Sequence, residues 1–203
     1  MNWQEFTALL MLVTAMAITP GPNTTLSAAM AANFGLKRAL PFAVSVAAGW
    51  GLLLTLCSLG LGALLLAVPL LSLAVKLVGI AYLLYLAFRL AGVSKLGEAN
   101  ASRLNISFMQ GAALQFVNIK AWMLALAIVS GWIAGRPDAL PRLALVLPLM
   151  MAYAFGSNVL YAVVGSLLRE WLTGPAGTGR RLLAFNRVMA MMLVATALWM
   201  LLR

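Results

Sequence analysis

Few residues in this chain are equipped for chemistry, and most of them sit inside apolar runs. The run GAALQFVNIKAWMLALAIV (residues 111–129) holds Gln115, Asn118 and Lys120 within six residues. A lysine at the centre of a bilayer costs about 2.5–3.5 kcal/mol on insertion scales. No apolar block of the chain contains a carboxylate to pair with it. Its partners are then carbonyls, Gln or Asn side chains, water, or an anionic group on a substrate. Two readings stay open: Lys120 clamps a substrate carboxylate, or it is a structural lysine bonded to a broken first helix.

The second candidate is ITPGPNTTL (residues 18–26). Pro20 and Pro22 each remove a backbone N–H and crowd the preceding turn, and Gly21 adds freedom, so a helix unwinds there. Bare backbone in hydrocarbon costs several kcal/mol per unsatisfied group and persists only beside protein or a water-filled cavity. Pro22 suits the first position of a new helix. The amides of Asn23, Thr24 and Thr25 would then face the break, where a helix start attracts anions such as a carboxylate. Binding or gating through Pro20, Gly21 and Pro22 competes with a plain structural kink.

Other polar residues are weaker candidates. Ser157 and Asn158 enter an apolar block in FGSN (155–158) and either line a cavity or tie two helices. Lys76 lies near one end of its block, where its stem can snorkel to the headgroups or serve a site. Cys57 is the only cysteine, which excludes an internal disulfide, and histidine is absent. That removes histidine proton relays, the usual triad base and the commonest metal ligand, so no metal, cofactor or catalytic residue is expected. A Ser–Lys dyad of Ser130 and Lys120 is poorly placed, ten residues apart on one helix.

These residues need elements to hold them. Hydrophobic residues make up 64% of the 203 and charged ones 9%, against about a quarter charged in soluble domains. The chain reads as an all-α integral membrane protein. Six apolar blocks, at roughly 6–33, 40–66, 70–91, 106–133, 140–166 and 182–202, are each long enough to span, which takes about 20 helical residues. Those at 6–33 and 106–133 are over-long, so tilt or a break is expected. Pro41, Pro69 and Pro141 stand where helices can begin, and Pro148 should kink the fifth block. AMA (15–17) mimics a cleavage site, but a signal peptide also needs basic flanks, so the first block reads as a retained span.

The net charge of +10 lies between the blocks rather than along one face, which argues against nucleic acid and for basic cytoplasmic loops. With the N-terminus outside, Lys37, Arg38, Arg89, Lys95, Arg103, Arg169, Arg180, Arg181 and Arg187 lie inside, and only Arg136, Arg142 and Arg203 outside. That asymmetry predicts N-out and C-out. Six spans divide into half-repeats of about 1–91 and 106–203 around a cytoplasmic linker, 92–105, in a single domain. Three spans per half give an inverted 3+3 repeat, a geometry of secondary transporters. Pro20 and Lys120 each stand fifteenth in their block, so the first and fourth helices are disturbed at matching depth.

TPGPN (19–23), GLKRAL (35–40), VKLVGIAYLLYLAFRL (75–90) and GAALQFVNIKAW (111–122) together resemble the LysE-type translocators, bacterial inner-membrane amino-acid exporters. The resemblance runs over nearly the whole chain, and ALQFVNIK (113–120) with FGSNVLYAVVG (155–165) looks most like its cysteine/O-acetylserine branch. It implies a transporter rather than an enzyme, embedded in membrane lipid, with a small amino acid as its substrate; a homodimer is compatible with it. The substrate would be met by Asn23, Thr24, Gln115, Asn118, Lys120 and Asn158, with Lys76 and Ser157 secondary. Where the family pattern is Asn-Pro-Lys, Ile119 replaces the proline, so the second break is expected to be the gentler. Where some relatives carry an acid after the second-helix glycine, Trp50 follows Gly49, which favours a small neutral amino acid over a cation. A channel or accessory subunit is the competing function.

Overall fold

A computed structural model describes residues 1–93, 106–174 and 179–202. Most of the proposed linker, 94–105, lies outside the described residues, as do Lys95, Arg103 and Arg203. Among those described, nine α-helices and no strands are present. They are α1 (Trp3–Ile18), α2 (Pro22–Phe34), α3 (Leu36–Ser58), α4 (Leu61–Ala67), α5 (Pro69–Ala91), α6 (Phe108–Val117), α7 (Ile119–Ile128), α8 (Ala139–Thr173) and α9 (Arg180–Leu202). A π-helical turn, Val129–Ile133, prolongs α7.

Helices α3, α5, α8 and α9 are each long and apolar enough to cross a membrane. The pairs α1–α2 and α6–α7 pass the same test jointly but are bent by 48° and 68°. The outside is apolar, and the apolar core also encloses polar residues. Phe88, Leu140 and Leu202 are exposed, while Ser27, Gln115, Asn158 and Asn186 are buried. That distribution suits lipid as solvent, where buried polar side chains must bond to one another.

The second apolar block is shorter than its hydropathy suggests. Gly60 adopts a left-handed φ of 105° and ends α3's run, so residues 61–67 form a separate short helix. Pro41 does not begin a helix; α3 starts five residues earlier, after Gly35. Pro148 does not interrupt α8, which runs unbroken for 35 residues.

Helix α2 is the axis of the fold. Eleven of its thirteen residues are buried, and SAAMAAN (27–33) explains why. Small side chains let neighbours approach from every direction, the pattern of a helix enclosed all round. Helices α8, α3 and α9 enclose it. A Cβ on Gly165 of α8 would collide with the carbonyl of Ala28, so this crossing requires glycine. At the far end of α2, Asn33 and Asn186 exchange amide hydrogen bonds of 2.7 and 3.0 Å, and Asn186 also donates to the Val93 carbonyl. The interior holds α2 as a fixed post, with its N-terminus facing the end of α1.

Candidate functional site

The end of α1 follows from its two prolines. In a continuous helix the carbonyl of residue i accepts from the N–H of residue i+4. Met16 would need the N–H of Pro20, and Ile18 that of Pro22, and neither proline has one. Side chains from elsewhere make up both losses. Lys120 Nζ donates to the Met16 carbonyl at 3.0 Å and to the Thr19 carbonyl at 2.6 Å. Tyr161 Oη donates to the Ile18 carbonyl at 2.7 Å. Cations are also favoured at a helix C-terminus by the dipole.

The start of α2 mirrors this. Pro22 is its first residue. The Gly21 N–H donates to Thr24 Oγ1 at 3.0 Å, and the Thr25 N–H to the Gly21 carbonyl at 2.9 Å. Thr25's amide therefore does not face the break, contrary to the sequence expectation. The amides of Asn23 and Thr24 receive no acceptor from the described residues. The carbonyl of Ala17 is in the matching position, because the Gly21 N–H that would have reached it is taken by Thr24.

The second pair breaks at one residue. Asn118 adopts φ −97° and ψ 102°, and its side chain accepts from the Lys120 N–H at 3.2 Å, capping α7. Trp122 Nε1 donates to the Phe116 carbonyl at 2.8 Å, serving the end of α6. Gly79 of α5 lets the Val117 carbonyl lie against it, where a Cβ would not fit.

The two breaks face each other across a crevice of about 70 Å³. A single water needs roughly 10–15 Å³ on the same measure, so the crevice holds several. Asn23, Thr24, Asn118, Lys120, Ser157 and Asn158 line it, with Gly21 and Pro22. Three candidates do not. Pro20 is exposed beside it. Gln115 lies fully buried behind Asn23, with amide bonds of 2.8 and 3.3 Å between the two side chains and its remaining donor on the Gly111 carbonyl at 3.2 Å. Lys76 stands away from the crevice, its Nζ 3.3 Å from the Leu201 carbonyl at the end of α9.

Sequence reasoning missed part of the wall. Val13, Met16, Val46, Leu124 and Met150 form an apolar side, and Trp50 and Tyr153 join it. Tyr153 Oη lies 3.0 Å from Thr14 Oγ1. Trp50 was legible only as a residue standing in place of an acid, and Tyr161 carried no signal, because nothing in its own neighbourhood needs a donor. Asn158 is fixed from two sides: Ser27 Oγ donates to its Oδ1 at 2.7 Å, and its Nδ2 donates to the Ala154 carbonyl at 2.8 Å. The lining offers hydrogen bonds of both polarities and one ammonium, but no carboxylate and no imidazole.

A crevice where helices end and begin recurs among membrane transporters, and sequence comparison shows the family to which the chain belongs. Residues 14–203 match the family described as LysE type translocator. The chain belongs to that family. The translocator is a multi-pass membrane protein and a transporter, not an enzyme. The cysteine/O-acetylserine efflux protein of Escherichia coli (strain K12) is 31% identical to it over 191 residues, covering 92% of this chain and 91% of its own length. The protein of the same name from Salmonella typhimurium is 28% identical over 181 residues, 89% of each chain. No solved structure matches the translocator.

Proposed function

We propose that this translocator is a secondary carrier that exports small neutral amino acids or their derivatives, of the cysteine/O-acetylserine type, across the bacterial inner membrane. One observation carries the reading: the crevice lies where the C-terminal end of α1 and the N-terminal end of α2 meet, within reach of Lys120. A zwitterion has the complementary pair of charges. Its carboxylate suits the open amides of Asn23 and Thr24, backed by the positive end of α2. The apolar wall with Trp50 receives a short uncharged side chain, and with no acid in the lining a lysine- or arginine-like cation is disfavoured.

In this reading each bent pair is one interrupted span. The six spans then form an inverted 3+3 repeat, with α1–α5 as one half and α6–α9 as the other, N-terminus and C-terminus outside. Rocking of one half against the other alternates access. The Asn23–Gln115 pair is one of several hydrogen-bonded ties between the halves, with those of Lys120, Tyr161, Asn158 and Asn186, and interhelical hydrogen bonds in membranes average only about 0.6 kcal/mol each. One chain supplies the whole crevice, so the reading asks nothing of a homodimer.

The test is efflux from cells loaded with a panel of dipeptides, comparing the wild type with Lys120→Ala and Asn23→Ala. Both variants should reach the membrane and lose efflux. Unimpaired efflux from both would remove the proposed site. Counterflow in vesicles should show trans-acceleration, which a channel does not give.

A further inference from the structure

We infer that the stranded carbonyls at the end of α1 form a subsite for a primary ammonium, filled by Lys120 in this structure and by the substrate's own ammonium in the loaded carrier. The inference rests on the carrier reading for its biological meaning, but not for its chemistry. Four carbonyls, from Met16 to Thr19, end α1 without the helical partner that each would have had; Tyr161 serves Ile18, which leaves those of Met16, Ala17 and Thr19. Lys120 Nζ bonds to two of them, at 3.0 and 2.6 Å, and Ala17 has no donor from the described residues. A primary ammonium has three N–H donors, which matches three acceptors.

Lys120 is a tethered form of that guest. No carboxylate of the described residues pairs with it. Its stem crosses from α7 into the gap at Gly21, where a Cβ would lie 3.4 Å from Lys120 Cδ and 3.6 Å from Nζ. The ammonium therefore sits within the break and borders the crevice. A substrate ammonium arriving there takes the carbonyls, and the released lysine turns to the substrate carboxylate a few ångströms away. This reconciles the two readings of Lys120: it is a backbone staple in the empty carrier and a carboxylate partner in the loaded one. Because Lys120 starts on α7 and ends on α1, the exchange also releases one of the ties between the two bent pairs, the Asn23–Gln115 bonds being another.

The test uses ethylammonium as the probe and tetramethylammonium, which has no N–H, as its control. Purified Lys120→Ala should bind ethylammonium about tenfold or more tightly than the wild type does, because charge-assisted hydrogen bonds become available to the guest. Tetramethylammonium should show no such gain. Lys120→Met, which keeps an unbranched side chain without the charge, serves if the alanine variant misfolds. In the wild type, Lys37, Lys76, Lys95 and Lys120 are the only lysines, so the Nζ resonance of Lys120 can be followed with labelled lysine. It should move with ethylammonium and stay fixed with tetramethylammonium. Equal binding of ethylammonium by variant and wild type, or a Lys120 resonance unmoved by saturating ethylammonium, would overturn the subsite. Ethylammonium binding as expected, with no amino-acid efflux by the wild type, would instead retain the subsite and reject the carrier reading.

Discussion

The two breaks reach similar ends by different means. The first spends three residues, Thr19 to Gly21, and bends the chain by 48°; the second spends one, Asn118, and bends it by 68°. The expectation that the break without proline is the gentler one is therefore wrong. A proline removes a donor and leaves the chain to find its own direction, and at the first break Lys120 and Tyr161 then hold α1 close to its partner. At the second break, capping sets the direction. Asn118 holds an extended conformation, starts α7 at once, and leaves Val117 pressed against Gly79. Loss of donors makes a break permissible; caps and close contacts decide its angle.

Substitutions that act on one break only would sharpen this contrast, and thermal unfolding in detergent measures them. Gly79→Ala should have the largest effect, because its Cβ meets the Val117 backbone, which cannot move as a flexible side chain would; overpacking of this kind costs about 1–3 kcal/mol. Asn118→Ala should follow, at about 0.5–2 kcal/mol for a lost N-cap. At the first break, Tyr161→Phe removes the donor to the Ile18 carbonyl and should cost about 0.5–1.5 kcal/mol. If Tyr161→Phe proves costlier than Asn118→Ala, capping is not the stronger device.

Ile119→Pro should be close to neutral, within about 1 kcal/mol. Ile119 is the first residue of α7, where proline is favoured, and Asn118 before it is already extended. A strongly destabilised Ile119→Pro would mean that the backbone at Asn118 is not set by its cap.

The smallest effect concerns the ion pairs at the start of α8, which do not line the crevice. Arg142 donates to Asp138 at 2.7 Å and to Glu5 at 3.0 Å, joining α8 to the start of α1. That hydrogen bond from Arg142, with its charge, holds the Asp138 carboxyl below the ordinary carboxylate range. A depressed folded-state value stabilises above the unfolded pKa and is lost as pH falls through the folded one. Stability should accordingly decline modestly below about pH 4, the ordinary range for aspartate. Arg142→Met should flatten that decline in an acid titration of thermal stability.

Much of this was legible in the chain. Long apolar blocks required helices, because no other open structure satisfies its backbone in lipid. TPGPN had to unwind, because two of its residues lack an N–H, and a lysine in an apolar run had to find carbonyls or an anion. These conclusions depend on covalent chemistry and local spacing, which sequence contains in full. Which carbonyls Lys120 would find, that Tyr161 would serve Ile18, that Gln115 would lie behind Asn23 rather than beside the crevice, and that Trp50 would form its wall depended on packing. Lys120 and Met16 are 104 residues apart. A side chain's partner at such separation is fixed by how close two elements come, which depends on tertiary packing: Gly21 leaves room for the Lys120 side chain, as Gly79 and Gly165 leave room for backbone at other crossings.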